Sequence, residues 1–262
     1  MVIPAHTVGD DHQVALAHDR LGRGPMLVLL HPLGADRRVW DPVVEKLAER
    51  REVLAVDLPG FGESPPVPET PTPRTLAKAV ASFLASIGVA RPHVAGNSLG
   101  GWVALELALL GQVRSATAIA PAGLWSAPLA PKRGIARRLA RVGLPLLAPV
   151  AGTALGRRLL LTGAVAYPAR VPPQAAAHLV RSYATAPGFR EVNDAMRSGR
   201  FEALERIRVP VTLVWPEHDR IVRRPPWLPG TVKSRELERC GHIPMWDAPA
   251  KVAKLLIDCS RD

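Results

Sequence analysis

Three residues far apart in the chain have the types and settings needed to activate a hydroxyl group. Ser98 lies in Gly96-Asn97-Ser98-Leu99-Gly100-Gly101, directly after the apolar run His93 to Gly96 and before an apolar stretch of helix length. Glycines two places before and two places after a serine let the backbone turn sharply from strand to helix, and the turn pushes the hydroxyl outward. A glycine-rich turn with an incidental serine is the plain alternative, so the rest of the chain has to decide. A serine hydroxyl is barely ionised at neutral pH, so it needs a base, and the base needs an acid to orient it. Asp219 follows the apolar run Val211 to Trp215, in Trp215-Pro216-Glu217-His218-Asp219-Arg220. His242 lies in Cys240-Gly241-His242-Ile243-Pro244, between a short strand candidate and the final helix. Open α/β sheets gather their sites at the carboxyl ends of strands, which is where all three residues fall.

The elements that must position them are readable as apolar periodicity. Strand-length runs at Met26 to His31, Val53 to Asp57, His93 to Gly96, Ala116 to Ala120 and Val211 to Trp215 read as buried strands, and a weaker run surrounds Arg235 to Glu238. Between them, Asp36 to Glu49 and Thr75 to Ile87 space their apolar residues for one helical face. Leu99 to Leu110 is apolar nearly all round, as expected of a helix packed on two sides. This alternation predicts an α/β class with a mostly parallel sheet flanked by helices. It stops after Pro121. From Ala122 to about Arg200 the chain is rich in Arg, Ala, Leu and Pro and reads as short helices broken by prolines. The expected organisation is a core of residues 1–121 and 201–262 interrupted by a helical insertion of residues 122–200.

Taken together, the Gly96 to Gly101 turn, His31-Pro32-Leu33-Gly34, Asp57-Leu58-Pro59-Gly60-Phe61-Gly62-Glu63-Ser64, Trp215 to Asp219 and Gly241-His242 resemble the motifs of α/β-hydrolase fold serine hydrolases with an inserted cap. The resemblance covers nearly the whole chain and implies a triad of Ser98, Asp219 and His242 in that chain order. Glu217 and His218 are neighbours of the expected acid; His6, His12, His18, His93 and His178 precede it and fail the order. Asp57 falls where the family uses scaffold. His31 is read as a hydrogen-bonded brace for its loop. The resemblance also implies an oxyanion hole from the Leu99 N–H and, because Pro32 has no N–H to give, the Leu33 N–H. Asn97, Trp102, Trp125, Arg190, Met245 and Trp246 flank these motifs and are the expected substrate contacts.

The implied reaction is hydrolysis of a carboxylic ester, thioester or lactone through an acyl-enzyme, with no cofactor and no metal. Haloalkane dehalogenases and most epoxide hydrolases of this fold attack with aspartate, and position 98 is serine. Asn97-Ser98-Leu99-Gly100-Gly101 is also similar to the elbow of meta-cleavage carbon–carbon bond hydrolases, whose cap arginine Arg190 could match, although Ile243 stands where they have tryptophan. Cofactor-free haloperoxidase or perhydrolase activity uses the same triad. A receptor-like homologue that binds without turnover is the non-enzyme alternative.

Composition narrows the partners. The chain has 262 residues, 47% of them hydrophobic, and a formal charge of +11. Ten basic and no acidic residues lie between Gly123 and Arg190, while the rest of the chain is balanced to within one charge. The charge therefore belongs to the insertion. No nucleic-acid motif or aromatic stacking platform accompanies it, so nucleic acid is not an expected partner; a small apolar or anionic substrate is. Arg137, Arg138 and Arg141 flank an apolar run, with Arg157 and Arg158 beyond. The insertion could therefore lie on an anionic lipid surface with Leu139, Val142, Leu144, Leu146 and Leu147 dipping in. A solvated cap is the plainer alternative. Two cysteines, Cys240 and Cys259, cannot build a disulfide framework. Met1 to Val14 carries His6, Asp10, Asp11 and His12 where an export signal needs a basic residue and an apolar run, so the expected location is cytoplasmic.

Overall fold

A computed structural model describes residues 15–130 and 135–261. His6, His12, the stretch read for an export signal, Lys132 and Arg133 lie outside the described residues, as do the side chains of Arg137, Leu139 and Leu146.

Strands β1 (His18–Gly22), β2 (Met26–Leu30), β3 (Glu52–Val56), β4 (His93–Asn97), β5 (Ser115–Ile119), β6 (Val211–Pro216) and β7 (Lys233–Leu237) form one sheet. Their order is β1-β3-β2-β4-β5-β6-β7. All pairs are parallel except β1 with β3, where His18 faces Val56 and Gly22 faces Glu52. Strands β4, β5 and β6 are buried along their whole length, as continuous apolar runs in a sheet covered on both faces should be. β1 has no counterpart in the sequence reading, because all five of its residues are exposed and carry no apolar alternation.

Helices α1 (Asp41–Ala48), α2 (Pro73–Ser86) and α3 (Leu99–Leu109) follow β2, β3 and β4. The helical pattern expected from Asp36 is split. Asp36 caps a short 3₁₀ turn, Arg37–Trp40, by accepting from the Arg38 N–H, and α1 begins only at Asp41. Helix α3 is buried along ten of its eleven residues. It packs between the sheet and α2, which accounts for its lack of a polar face.

Between β5 and β6 the described residues form five helices: α4 (Ile135–Val142), α5 (Leu144–Ala151), α6 (Ala154–Leu161), α7 (Pro173–Thr185) and α8 (Phe189–Ser198). The segment leaves and returns at neighbouring points. The Phe201 N–H donates to Gly123 O at 2.9 Å and the Trp125 indole N–H to Gly199 O at 2.9 Å. Ala151, Leu161, Val165, Val171, Ala176 and Val180 make a small apolar cluster within it, closed from below by Ile243 and Trp246. Val192, Met196 and Phe201 instead join the main core on the α2–α3 side of the sheet. Helix α9 (Pro249–Cys259) closes the chain against α1. Buried Arg51 staples its end, donating to Ser260 Oγ at 2.8 Å and to Ile257 O at 2.8 Å. No helix among the described residues is long and apolar enough to cross a membrane.

Candidate active site

The turn after β4 places Ser98 at φ 55°, ψ −111°, a conformation that costs a non-glycine residue of order 1–3 kcal/mol. Close packing maintains it. A Cβ on Gly96 would lie 2.0 Å from Gly100 O, and one on Gly100 would lie 2.2 Å from Leu30 O, so only glycine lets α3 start this close to the sheet. The Ser98 N–H donates to Ile119 O at 2.9 Å, and Ser98 O accepts from the N–H groups of Trp102 and Ala122 at 3.1 Å.

His242 and Asp219 meet at 2.8 Å through Nδ1 and Oδ2, with side chains 5% and 3% exposed. The other carboxylate oxygen accepts from the Ile221 and Val222 N–H groups at 2.7 and 3.0 Å. Glu217, its neighbour, is exposed and accepts from the Arg239 N–H. The two turns are joined: the Asn97 amide, next to Ser98, donates to His242 O at 2.9 Å and to Ile119 O at 3.2 Å. Strained serine, histidine and buried aspartate thus come from the ends of β4, β7 and β6.

Residues 27–255 match the model of the alpha/beta hydrolase family. The chain belongs to that family. Epoxide hydrolase EphH of Mycobacterium tuberculosis is 34% identical over 197 residues, which is 69% of this chain and 91% of that protein. Monoacylglycerol lipase ABHD6 of mouse is 26% identical and is aligned over 95% of this chain and 80% of its own. A solved structure described as a membrane phospholipase A, a novel bacterial virulence factor, superimposes with a TM-score of 0.72 at 30% identity, covering 95% of this chain and 85% of that one.

In this α/β hydrolase the loop after β2 is braced from both sides. His31 donates from Nδ1 to Pro32 O at 2.8 Å and accepts at Nε2 from the Leu58 N–H at 2.9 Å. Burial pushes its pKa down, which suits a neutral imidazole that donates at one nitrogen and accepts at the other. Asp57 is fully buried and takes the Arg37 N–H at 2.7 Å, the Arg37 guanidinium at 2.5 Å and the Glu63 N–H at 2.9 Å. It ties the 31–37 loop to the 57–63 loop, a scaffold role. Among the described residues, neither the Leu33 nor the Leu99 N–H donates to a protein acceptor.

Two carboxylates to which the sequence motifs assign no role hold the helical insertion against this site. Asp247 accepts from the N–H groups of Gly241, Ala166 and Tyr167 at 2.8, 2.9 and 2.9 Å. It therefore fixes the turn that carries His242 to the loop after α6. Asp36 accepts from His178 Nε2 at 2.6 Å and Ser182 Oγ at 2.9 Å, both on α7. Burial raises the pKa of its carboxyl, but the His178 hydrogen bond and charge, with help from Ser182, outweigh this and bring it to about 2.

Several expected substrate contacts are placed elsewhere. Met245 is fully enclosed in the core beneath α1 and α9. Trp102 is core too: its indole N–H donates to Glu106 at 3.1 Å and its ring meets Trp125 edge to face at 5.8 Å. Both belong to the packing, because apolar residues beside a catalytic turn also have to fill the sheet face below it. Asn97 uses its amide donors on backbone carbonyls, and Arg190 is exposed on the first turn of α8. Trp125 and Trp246 are half-buried, Trp246 lying between the α9 side of the core and the insertion's own cluster. No group of His, Cys, Asp and Glu among the described residues could hold a metal ion.

Proposed function

We propose that this α/β hydrolase cleaves carboxylic esters through an acyl-enzyme on Ser98. The observation that carries the reading is the strained Ser98 turn tied through Asn97 to a histidine already paired with a buried aspartate. With Asp219 accepting a hydrogen bond from His242 Nδ1–H, Nε2 of His242 is the nitrogen left to take the proton of Ser98 as Oγ bonds to the substrate carbonyl carbon. The oxyanion that forms lies against the Leu33 and Leu99 N–H groups, whose lack of protein acceptors keeps them available. The imidazolium then protonates the departing alkoxide. Water repeats the sequence in reverse, releasing the acid and restoring Ser98. A preorganised donor of this kind is worth about 10²-fold to 10³-fold in rate.

Epoxide hydrolysis is the second reading, on the name of the Mycobacterium tuberculosis relative. Its chemistry fits the serine poorly. An aspartate opening an epoxide leaves an ester that water can cleave, whereas a serine leaves an ether with no carbonyl to attack. Turnover of p-nitrophenyl esters beside a styrene-oxide control, with Ser98→Ala in parallel, tests both. Ester hydrolysis should fall by at least about 10³-fold in Ser98→Ala, and a fluorophosphonate probe should label Ser98. Unchanged ester turnover in that variant refutes the acyl-enzyme, and folded protein that neither labels nor turns over favours a binding role.

A further inference from the structure

Half of the ten basic residues between Gly123 and Arg190 and, among the described residues, four of the insertion's six exposed large apolar side chains fall on the same three helices, α4–α6. Among the described residues, nine large apolar side chains are exposed, and four of them, Val142, Val150, Leu155 and Leu159, lie in α4–α6. Leu155 and Leu159 are 67% and 70% exposed, and their spacing of four puts them on one face of α6. Val150 adjoins that helix, since a Cβ on Gly156 would lie 2.7 Å from its Cγ1. Arg138, Arg141 and Arg158 are exposed on the same helices. The geometry corrects the sequence reading in detail. Leu144 and Leu147 turn inward onto the insertion's own cluster, and Arg157 is buried, donating to Gly152 O at 2.7 Å. The apolar outer face is instead built chiefly by α6.

We propose that the outer face of α4–α6 docks on an anionic lipid surface, with Leu155 and Leu159 entering the headgroup boundary and Arg138, Arg141 and Arg158 at the phosphates. Basic residues flanking exposed aliphatic ones on short helices suit a surface that is negative outside and apolar just beneath. The chemistry of the other occupants is worse. A second copy would bring an equally basic face, since the chain carries no acidic residue between Gly123 and Arg190. A nucleic acid offers phosphates but nothing apolar for leucines. The proposal does not depend on the reaction at Ser98.

The test is sedimentation of the whole protein with phosphatidylcholine vesicles, with and without phosphatidylglycerol, over a salt series. Binding is expected only with the anionic lipid and should weaken as salt rises. Arg138→Gln/Arg141→Gln/Arg158→Gln should weaken it by at least about tenfold. Leu155→Ser/Leu159→Ser, which leaves the charge unchanged, should weaken it by about tenfold. Absence of binding at low salt overturns the proposal, and so does binding indifferent to the leucine change, since that is charge attraction alone. The loop after Asp219 is the internal control, because it exposes Ile221 and Trp227 beside Arg223 and Arg224. Arg223→Gln/Arg224→Gln should retain binding; loss there with retention in the α4–α6 variants overturns the assignment.

Discussion

The insertion is tied to the core at two seams built on opposite principles. At the histidine side, Asp247 takes three backbone N–H groups, and the loops interlock besides: Ile243 N–H donates to Ala164 O at 2.7 Å, and Gly241 lies directly against Val165 and Ala166. At the β2-loop side, Asp36 takes side chains, His178 and Ser182, one turn apart on α7, and Gly34 meets the rings of Tyr183 and Phe189. Backbone donors survive every substitution except proline and do not titrate. Side-chain donors can be substituted and can titrate, and this seam borders a cavity of about 210 Å³ lined by Asp36, Arg38, His178, Arg181 and Ser182, through which solvent reaches it. The turn carrying His242 therefore meets the insertion through backbone groups gathered by one carboxylate, whereas the loop carrying Leu33, braced to the core by His31 and Asp57, meets it through side chains.

The largest effect should come from Asp247→Ala. It strands three N–H groups on the seam with no substitutes, each costing about 1–3 kcal/mol when buried without a partner. A drop in unfolding free energy of at least about 3 kcal/mol, with loss of ester turnover, is expected in denaturant titration. A change under about 1 kcal/mol would show that the interlocked backbone holds the turn unaided, breaking the contrast.

Asp36→Ala should cost less, about 1–3 kcal/mol, because α7 remains packed through Val180 and Ala184. Its kinetic effect should fall mainly on kcat, since the displaced loop is the one proposed to hold the oxyanion. His178→Gln keeps a donor without the charge and should cost about 1 kcal/mol or less.

The smallest effect is on pH dependence. Asp36 has a folded-state pKa of about 2, below its unfolded value near 3.9. The stability it lends is thus present above about pH 4 and lost as pH falls toward 2. Denaturation midpoints at pH 6 and pH 3 should diverge more in the native sequence than in His178→Gln. Equal divergence would place the acid sensitivity elsewhere.

What the sequence made legible follows the same division. The buried parallel strands announce themselves as apolar runs, and Ser98 and Asp219 stand out because each follows such a run in a turn rich in small or polar residues; His242 follows the weaker, mostly exposed β7 and stands out by its Gly241-His242 setting. β1 is silent, since an exposed edge needs no apolar pattern to pair through its backbone. Asp247 is silent for a related reason: its partners are N–H groups that every residue carries. One weak signal existed, a lone carboxylate among Met245, Trp246 and Ala248, where an unpaired charge would be costly. Chain order excludes His178 as the triad base and says nothing of its partner, which stands 142 positions away. The side-chain identities of Trp102 and Met245 pointed to a pocket because a residue beside a catalytic turn can face either way, and only packing decides which.

The closure of the insertion on itself, through Gly123 with Phe201 and Trp125 with Gly199, brings the points where the chain leaves and re-enters the sheet to one narrow root. Because the entropy of closing a loop rises only with the logarithm of its length, the sheet is nearly indifferent to how many residues hang from that root. Evolution could lengthen, shorten or exchange the helices there at little thermodynamic cost. The exceptions are the parts that touch the core: α8 fills it with Val192 and Met196, and α7 offers His178 and Ser182 to Asp36. Any replacement of Ala164 to Tyr167 must likewise deliver the same three backbone groups to the histidine turn, a hinge of fixed shape grafted into an otherwise interchangeable part.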